Sequence, residues 1–282
     1  VMFRRDNHCI TLVLTCGLKQ LGARCGFCGC VGDDLIGRYL IGYAENFRFD
    51  YLHIKKDKAR NTTLAFVELG ANGERRFSFF RKNTADHALP QEAAEEIARA
   101  ADILHIGSLP LSEEDGRIFA DRAIALAHAY GKKVAFDVNY RDDLFESERQ
   151  AADIYKKYIE LADIVKFSEE EIPMFSGASA TEAQMKDIAG QNKTVFLTLG
   201  AAGSMACRGG KIFSQPSIEI TPVDTTGAGD AFMAGVLYAL GRGETDMNAV
   251  LRTGNVCGAL TASERGAVGA LEKNIVEEKL RG

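Results

Sequence analysis

The sequence predicts an α/β protein whose central sheet is mainly parallel and flanked by helices, with a small antiparallel β lid. From Gln91 onward, amphipathic helical patterns alternate with short apolar runs, which is the pattern of βαβ units. Between residues 49 and 81 a hairpin pattern interrupts this alternation. The chain has 282 residues, 46% of them hydrophobic and 26% charged, values that are typical of a globular protein.

The charge balance and the first apolar run exclude two classes of partner. The net charge is −5 with no basic face, so we expect no binding to nucleic acid. The apolar run at residues 10–16 is too short to span a bilayer. Arg4 and Arg5 precede it as in a signal peptide, but no small-residue cleavage site closes it. We therefore predict a helix or strand of a cytoplasmic protein without a membrane partner.

The cysteines near the front suggest either a metal site or core packing. The total of seven is odd, which favours reduced thiols over a disulfide framework. Cys25, Cys28 and Cys30 have a spacing that zinc and iron–sulfur sites use, but no second pair of ligands follows nearby. Alternation places Cys28 and Cys30 on one face of a short strand. We favour packing of these thiols in the core.

The hairpin pattern predicts a separate small sheet. Residues 62–69 and 75–80 alternate in polarity, and Ala71, Asn72 and Gly73 between them are a strong turn signal. Alternation leaves one face of this sheet open to solvent or to a partner. We predict that residues 43–83 form a β lid inserted into a core of residues 1–42 and 84–282, and that the lid can form the contact of a homodimer.

Four helix–strand pairs follow the hairpin. The predicted helices cover residues 91–101, 113–130, 147–161 and 181–190, and the predicted strands cover residues 103–106, 133–137, 163–167 and 194–198. In an open α/β sheet, ligands bind outside the carboxyl ends of the strands. The polar residues at those ends are therefore candidates for a binding site: Ser108, residues 137–141, residues 168–171 and residues 198–203.

The most informative segment, residues 223–240, follows a predicted strand at residues 217–220 and runs from a glycine-rich turn into an apolar helix. Gly227 and Gly229 allow a tight turn that directs backbone N–H groups to one point. These groups lie at a helix N-terminus, which favours an anion and can hold the charge of a transferring phosphoryl group. Asp230 lies in the predicted first turn, where its carboxylate can accept the proton of an attacking hydroxyl.

A simpler interpretation is that Asp230 only caps the helix and that the glycines only form the turn. The full run Asp-Thr-Thr-Gly-Ala-Gly-Asp at residues 224–230 is far more specific than Gly-x-Gly-Asp alone and favours the functional interpretation. It is not a Walker P-loop, because no Gly-Lys-Ser/Thr follows.

This segment resembles the C-terminal signature of the PfkB/ribokinase family of sugar kinases. Further motifs resemble the family in its own order between about Leu18 and Ala270: Gly32-Asp-Asp-x-x-Gly37, residues 73–81 with Thr84-Ala-Asp86 as in the fructokinase-like branch, Asp137-Val-Asn139-Tyr-Arg141, Thr198-Leu-Gly200-x-x-Gly203 and Arg265-Gly-Ala267. The resemblance implies a ribokinase-like fold. It also implies transfer of the γ-phosphoryl group of ATP to a sugar hydroxyl, with Mg²⁺ on the nucleotide phosphates.

The resemblance also implies roles for individual residues around the sugar. Asp230 is the base, and the backbone amides that form the anion hole belong to Gly227, Ala228 and Gly229. Two residues from the lid and two from a strand end surround the sugar: Phe79, Arg81, Asn139 and Arg141. Arginine can clamp oxygens in a bidentate manner. A surface charge beside the hairpin is an equally good interpretation of Arg81.

On the nucleotide side, the implied contacts are Lys166, Ser168, Thr198, Gly200, Gly203 and, near the purine, Asn255. The stretch at residues 166–171 resembles the family's Asn-x-x-Glu with Ser168 in place of Asn, and Glu171 would order Mg²⁺ through water. Acidic residues at 169–171 also suit a helix start. Asp224 and Thr226 correspond to family positions that bind a monovalent cation, so K⁺ is a further candidate.

The front of the chain departs from the family. Family members begin with a strand that carries a sugar-binding Asp, followed by a Gly-Gly-x-x-x-Asn stretch, and residues 1–15 contain neither. Residues 18–23 alone resemble the end of the first helix. We expect the first strand and half of the sugar pocket to be absent or replaced, which would cost positioning of the reacting hydroxyl.

Three functions stay open at this point. The first is a fructokinase-like sugar kinase with Asp230 as general base. The second is a 2-keto-3-deoxygluconate kinase or another PfkB-family sugar kinase, because Arg81 and Arg141 could equally meet a carboxylate. The third is a catalytically impaired PfkB-like protein that acts through its lid as an interaction module, which the altered front favours.

Overall fold

A computed structural model describes residues 10–69, 75–267 and 271–281. Its helices and strands follow one another in this order: α1 (Ile10–Gln20), β1 (Gly26–Gly32), α2 (Leu35–Asn46), β2 (Tyr51–Asp57), β3 (Leu64–Leu69), β4 (Arg75–Phe80), α3 (Ala94–Ala100), β5 (Ile103–Ile106), α4 (Glu114–Ala129), β6 (Lys133–Asp137), α5 (Glu148–Leu161), β7 (Ile164–Ser168), α6 (Thr181–Ala189), β8 (Thr194–Thr198), β9 (Ser204–Arg208), β10 (Lys211–Gln215), α7 (Ala228–Gly241), α8 (Met247–Ala262) and α9 (Lys273–Arg281).

The largest sheet is mixed but mainly parallel. Its strand order is β10-β9-β8-β7-β6-β5. Strands β5 to β8 are parallel neighbours, whereas β9 and β10 are antiparallel. The four predicted helix–strand pairs and the α/β fold class are confirmed. The strand predicted at residues 217–220 is wrong, because this stretch follows the edge strand β10 as a connection without strand pairing.

Alternation along the strands divides the core into two layers. In β6, Val134 and Phe136 pack in a cluster with side chains of α4 and α5, whereas Ala135 packs in a cluster with α7 and α8. Helices therefore cover both faces of the sheet, as buried parallel strands require. Lys166 of β7, which binds Asp137 at the end of β6, reaches the start of α7 at Gly229.

The front of the described chain is helical. Residues 10–16, predicted as either a helix or a strand, form most of α1, which packs against α7 with Gly17 close to Ala234. Cys28 and Cys30 lie on β1 as predicted, and residues 1–9 lie outside the described residues. None of the described helices is both long enough and apolar enough to cross a membrane.

Two smaller sheets complete the fold. Strands β1 and β2 form a parallel pair, and β3 and β4 form the predicted antiparallel hairpin. The predicted turn at Ala71, Asn72 and Gly73 lies outside the described residues. The division into a core and a lid at residues 43–83 stays a prediction, since β2 falls inside that range and pairs with β1 from outside it.

The motif that begins at Gly32 fixes the base of the hairpin. The carboxylate of Asp34 accepts a hydrogen bond from the Gly37 amide at 2.7 Å, which caps α2, and another from the Thr62 amide at 2.8 Å. A Cβ at Gly37 would lie 2.0 Å from the carbonyl oxygen of Gly32, so only glycine fits. One carboxylate thus joins the start of α2 to the segment that leads into β3.

Replacing Asp34 with alanine is expected to lower the free energy of unfolding by about 2 kcal/mol, because both a helix cap and the acceptor of a Thr62 amide are lost. The neighbouring Asp33→Ala is the matched control. Asp33 lies 3.9 Å from Arg38 at the surface, so its loss is expected to cost less than about 0.5 kcal/mol. Chemical denaturation measures both. Equal losses in the two variants would contradict the role of Asp34.

Candidate active site

The N-terminus of α7 has the form of an anion site. Gly227 precedes the helix with φ of 77°, a left-handed conformation that favours glycine. A Cβ there would lie 2.6 Å from that of Ala267. Among the described residues, no side chain caps the first turn of α7. The Ala228 amide donates to the Thr225 carbonyl at 3.2 Å, whereas the Gly229 amide belongs to the positive end of the helix dipole and has no capping side chain.

Asp230 lies in the first turn of α7, as predicted, and its side chain remains partly open to solvent. Its carboxylate is surrounded by protein, and this burial is the main reason that its pKa rises to about 8. The charge of Asp137 raises the pKa further, whereas those of Lys166 and Arg141 lower it. A carboxylate with a strongly raised pKa in the first turn of a helix is a candidate general base.

A buried ion pair lies beneath Asp230. Lys166 donates hydrogen bonds to both carboxylate oxygens of Asp137 at 2.8 and 3.1 Å, and the two residues are register partners on β7 and β6. Burial alone would lower the pKa of Lys166, but the carboxylates of Asp137 and Glu171 raise it above its ordinary value. The Lys166 Nζ lies 3.5 Å from the position of a Cβ on Gly229. The ammonium group therefore remains charged next to the turn.

Glu171 joins the ends of β6 and β7. Its two oxygens accept hydrogen bonds from the Tyr140 amide at 2.7 Å and from the Ser168 amide at 2.8 Å. The side chain is buried. The acidic run in the sequence does not predict these two contacts, which hold the ends of β6 and β7 together. The role of Glu171 at Mg²⁺ stays a prediction.

The segment after β6 turns sharply below the site. Asn139 has a left-handed backbone with φ of 37°, and its carbonyl accepts a hydrogen bond from Ser108 at 3.4 Å. Arg141 donates to the Tyr140 carbonyl at 2.7 Å. Since the charge of Arg141 acts on Asp230, the structure brings Arg141 and Asp230 into one cluster, as the resemblance implied.

The guanidinium group of Arg81 binds other residues of the protein. Its Nε donates to Asp86 at 2.6 Å, and its Nη1 donates to Ser112. The side chain is buried, so the interpretation of Arg81 as a surface charge is wrong. Phe79 lies on β4 opposite Ala65, and its side chain lies outside the described part. The sugar contacts of both residues stay predictions.

The nucleotide-side residues have mainly structural partners. Thr198 ends β8 opposite Ser168 of β7 and donates to the Phe167 carbonyl at 3.3 Å. Gly200 has φ of 55°. A Cβ on Gly203 would lie 2.2 Å from the carbonyl oxygen of Gln215, which requires glycine. These residues shape the turn between β8 and β9.

Asn255 and Asp224 hold neighbouring segments together. Buried Asn255 accepts from Ser204 at 2.7 Å and donates to the carbonyls of Gln215 and Pro216 at 3.0 Å each. Asp224 accepts from the amides of Thr226 at 2.9 Å and Gly266 at 3.3 Å. Neither the purine contact of Asn255 nor the K⁺ site at Asp224 and Thr226 is tested by these contacts.

A mainly parallel α/β sheet, a helix N-terminus without a side-chain cap among the described residues and a carboxylate of raised pKa in that helix's first turn suit a phosphotransferase that acts on an alcohol group. Comparison with known proteins agrees. The pattern of the pfkB family carbohydrate kinases matches residues 14–274. The chain belongs to this family and is an ATP-dependent sugar kinase.

Curated relatives and solved structures support the same conclusion. A fructokinase of Klebsiella pneumoniae is 34% identical over 90% of this chain and 85% of its own length. The crystal structure of a Vibrio cholerae fructokinase bound to fructose, ADP and calcium matches with a TM-score of 0.89 and 29% identity over 98% of this chain and 92% of that chain. The crystal structure of a putative ribokinase II of Escherichia coli with ATP and Mg²⁺ matches with a TM-score of 0.90 and 25% identity, over 100% of this chain and 91% of that chain.

The raised pKa of Asp230 predicts a measurable dependence of stability on pH. Between pH 4 and its folded pKa of about 8, Asp230 is protonated in the folded protein and ionised in the unfolded chain. The folded state then binds more protons, so wild-type stability falls as the pH rises through this window. Asp230→Asn removes this loss. The free energy of unfolding of D230N relative to wild type is therefore expected to be higher at pH 9 than at pH 5.

Chemical denaturation at the two pH values measures this difference. Asp153→Asn is the control, because Asp153 is exposed on α5 and is expected to change stability little at either pH. A difference between D230N and wild type that does not grow with pH would contradict the burial of the Asp230 carboxylate.

Proposed function

We propose that the protein transfers the γ-phosphoryl group of ATP to a hydroxyl of fructose, with Asp230 as general base. The observation that carries this proposal is the position of Asp230 within the first turn of α7, next to the amides of Gly227, Ala228 and Gly229. Base and anion site are thus held by one rigid element. The names of the fructokinase relatives support fructose as the acceptor.

The proposed step follows from these positions. Asp230 takes the proton of the sugar hydroxyl as its oxygen forms a bond to the γ-phosphorus, and the bond from that phosphorus to the bridging oxygen breaks, which leaves ADP. The amides at the start of α7 stabilise the charge on the equatorial oxygens. The pKa of about 8 lies close to neutral pH, which suits a residue that must both accept and release a proton.

The sugar contacts divide into two groups. Asn139 and Arg141 lie at the carboxyl end of β6, on the same side as Asp230, and we assign them to the hydroxyls of the sugar. We also assign Arg81 and Phe79 to the sugar, as the family resemblance implies. Because Arg81 is paired with Asp86 and Ser112, its contribution includes holding the hairpin against the core.

The chemistry of the donor set fits a nucleotide with Mg²⁺. Each oxygen of Glu171 accepts one amide and keeps a second lone pair, so Glu171 can order a water of the metal. Mg²⁺, when bound, would neutralise charge on the phosphates. We assign the phosphates to Lys166 and Ser168, the rest of the nucleotide to Thr198, Gly200, Gly203 and Asn255, and K⁺ to Asp224 and Thr226.

A coupled assay of ADP release over fructose, 2-keto-3-deoxygluconate and ribose tests the proposal. Turnover is expected to be highest with fructose and to stop when Mg²⁺ is chelated. Asp230→Asn is expected to lower kcat by about 10³-fold, because proton removal is lost, while KM for ATP changes little. Asp153→Asn on the exposed face of α5 is the matched control and is expected to retain full activity.

Each outcome of this assay separates one candidate function from the others. Preference for 2-keto-3-deoxygluconate would indicate that Arg141 meets a carboxylate and would refute fructose as the acceptor. D230N with most of the wild-type kcat would refute the base. If a folded protein that still binds ATP releases no ADP with any of the sugars, the result would favour an interaction module.

We also propose that the protein is cytoplasmic and forms a homodimer in which the hairpins of the two subunits contact each other. Leu64, Phe66 and Phe80 on its two strands are 39%, 41% and 63% exposed, which is a candidate contact surface. Phe80→Asp is expected to shift the dimer towards monomer in sedimentation velocity. Ile118→Asp, on the exposed face of α4, should leave the dimer intact. A wild-type monomer at high micromolar concentration would contradict this proposal.

A further inference from the structure

Asp86 joins the two ends of the hairpin. Leu64 at the start of β3 pairs with Phe80 at the end of β4, so Thr63 and Arg81 flank the last pair of the hairpin. One oxygen of the Asp86 carboxylate accepts a hydrogen bond from the Thr63 hydroxyl. The other oxygen accepts one from the Arg81 Nε at 2.6 Å. A single carboxylate thus binds the residue before β3 and the residue after β4.

The surroundings of Asp86 keep its carboxylate charged. The Thr84 hydroxyl lies 2.8 Å from the oxygen that also binds Thr63. Burial alone would raise the pKa of Asp86, but the charge of Arg81 and the hydrogen bonds from Thr63 and Thr84 hold this pKa below its ordinary value. The bond between Asp86 and Arg81 is therefore charge-assisted, which makes it strong and well oriented.

The contacts of Asp86 bear on the position of the whole hairpin. Among the described residues, β3 and β4 pair only with each other, and Leu64, Phe66 and Phe80 are exposed. A two-stranded hairpin is marginally stable by itself. The residues at its two ends therefore contribute strongly to its position beside the core.

The same contacts lead to the sugar side of the site. The Arg81 Nη1 donates to Ser112 in the short turn after β5. Ser108, just before this turn, donates to the Asn139 carbonyl at 3.4 Å, and Asn139 is one of the residues that we assign to the sugar. The turn after β5 thus contacts the end of the hairpin through Arg81 and the end of β6 through Asn139.

One nitrogen of Arg81 is left for a ligand. Its Nε and Nη1 bind Asp86 and Ser112, whereas its Nη2 is buried and has no hydrogen-bond partner among the described residues. A buried donor without an acceptor costs free energy, and an oxygen of a bound sugar would remove this cost. Because the guanidinium group is planar and rigid, the bonds to Asp86 and Ser112 also set the direction of the Nη2 donors.

We propose that Asp86 is a positioning residue of the sugar site, which holds the two ends of the hairpin and orients Arg81 so that its Nη2 donates to a sugar oxygen. This inference rests on the proposed assignment of Arg81 to the sugar. An Asp86 that only stabilised the hairpin would affect the stability of the protein without a selective effect on sugar binding. Steady-state kinetics distinguish these two roles.

Asp86→Asn removes the charge and one acceptor while it keeps the size of the side chain. Its KM for fructose is expected to rise at least about tenfold, because Arg81 loses its charge-assisted bond. Its KM for ATP is expected to change by less than about twofold, since these contacts lie on the sugar side. Glu95→Gln is the matched control. Glu95 binds Arg99 at 2.9 Å on the exposed face of α3, and its loss should leave both KM values unchanged.

A milder variant keeps the test decisive if D86N does not fold. Ser112→Ala removes the second acceptor of Arg81 and leaves Asp86 and its two threonine partners intact. Its KM for fructose is expected to rise by about threefold, because a neutral hydrogen bond is weaker than a charged one. Its KM for ATP should again stay the same.

A double-mutant cycle tests whether Asp86 acts through Arg81. Arg81→Lys keeps the charge but lacks the planar fork. In this background D86N is expected to raise the KM for fructose by less than about threefold, because the group that it orients is already lost. An equal effect of D86N in both backgrounds, or an equal rise of the KM values for fructose and ATP, would overturn the proposal.

The wild-type protein separates this inference from the proposed function. If the wild type phosphorylates fructose and the KM for fructose is unchanged in D86N and S112A, the positioning role of Asp86 alone is refuted. If the wild type prefers another sugar, fructose as the acceptor is refuted, and the same comparison with that sugar decides the role of Asp86. If the wild type phosphorylates no sugar, both proposals are refuted.

Discussion

The site depends on one buried cation. Lys166 binds both carboxylate oxygens of Asp137, and its charge also acts on Asp230. A buried charge is tolerated only when it is paired. Lys166 thus opposes the burial and the charge of Asp137, which together raise the pKa of Asp230 to about 8. The register of β6 and β7 sets this arrangement.

Much of the fold could be predicted because buried parallel strands and amphipathic helices have distinct periods in sequence. The apolar runs at Ile164–Ser168 and Thr194–Thr198 are strands, since helices cover both of their faces. The position of Asp230 in the first turn of α7 was predictable because a local feature of the sequence marks it. The turn before the helix needs a left-handed backbone at Gly227, which favours glycine.

The remaining features depend on contacts between distant segments. Lys166 and Asp137 are 29 positions apart, and only strand register brings them together. The same holds for Glu171, whose acidic neighbours suggested a helix start, and for Asn255, whose three partners are Ser204 of β9, Gln215 at the end of β10 and Pro216 just after it. The strand expected at residues 217–220 was wrong, because this stretch pairs with no strand among the described residues, and strand pairing depends on distant segments.

Several family motifs of this chain hold backbone segments together. Asp34 joins α2 to Thr62, Glu171 joins two strand ends, and Asp224 joins the loop before α7 to Gly266. In-line transfer needs the hydroxyl, the phosphorus and the base within a few tenths of an ångström of the productive geometry. We therefore expect these carboxylates to support the geometry of the site through the backbone segments that they join.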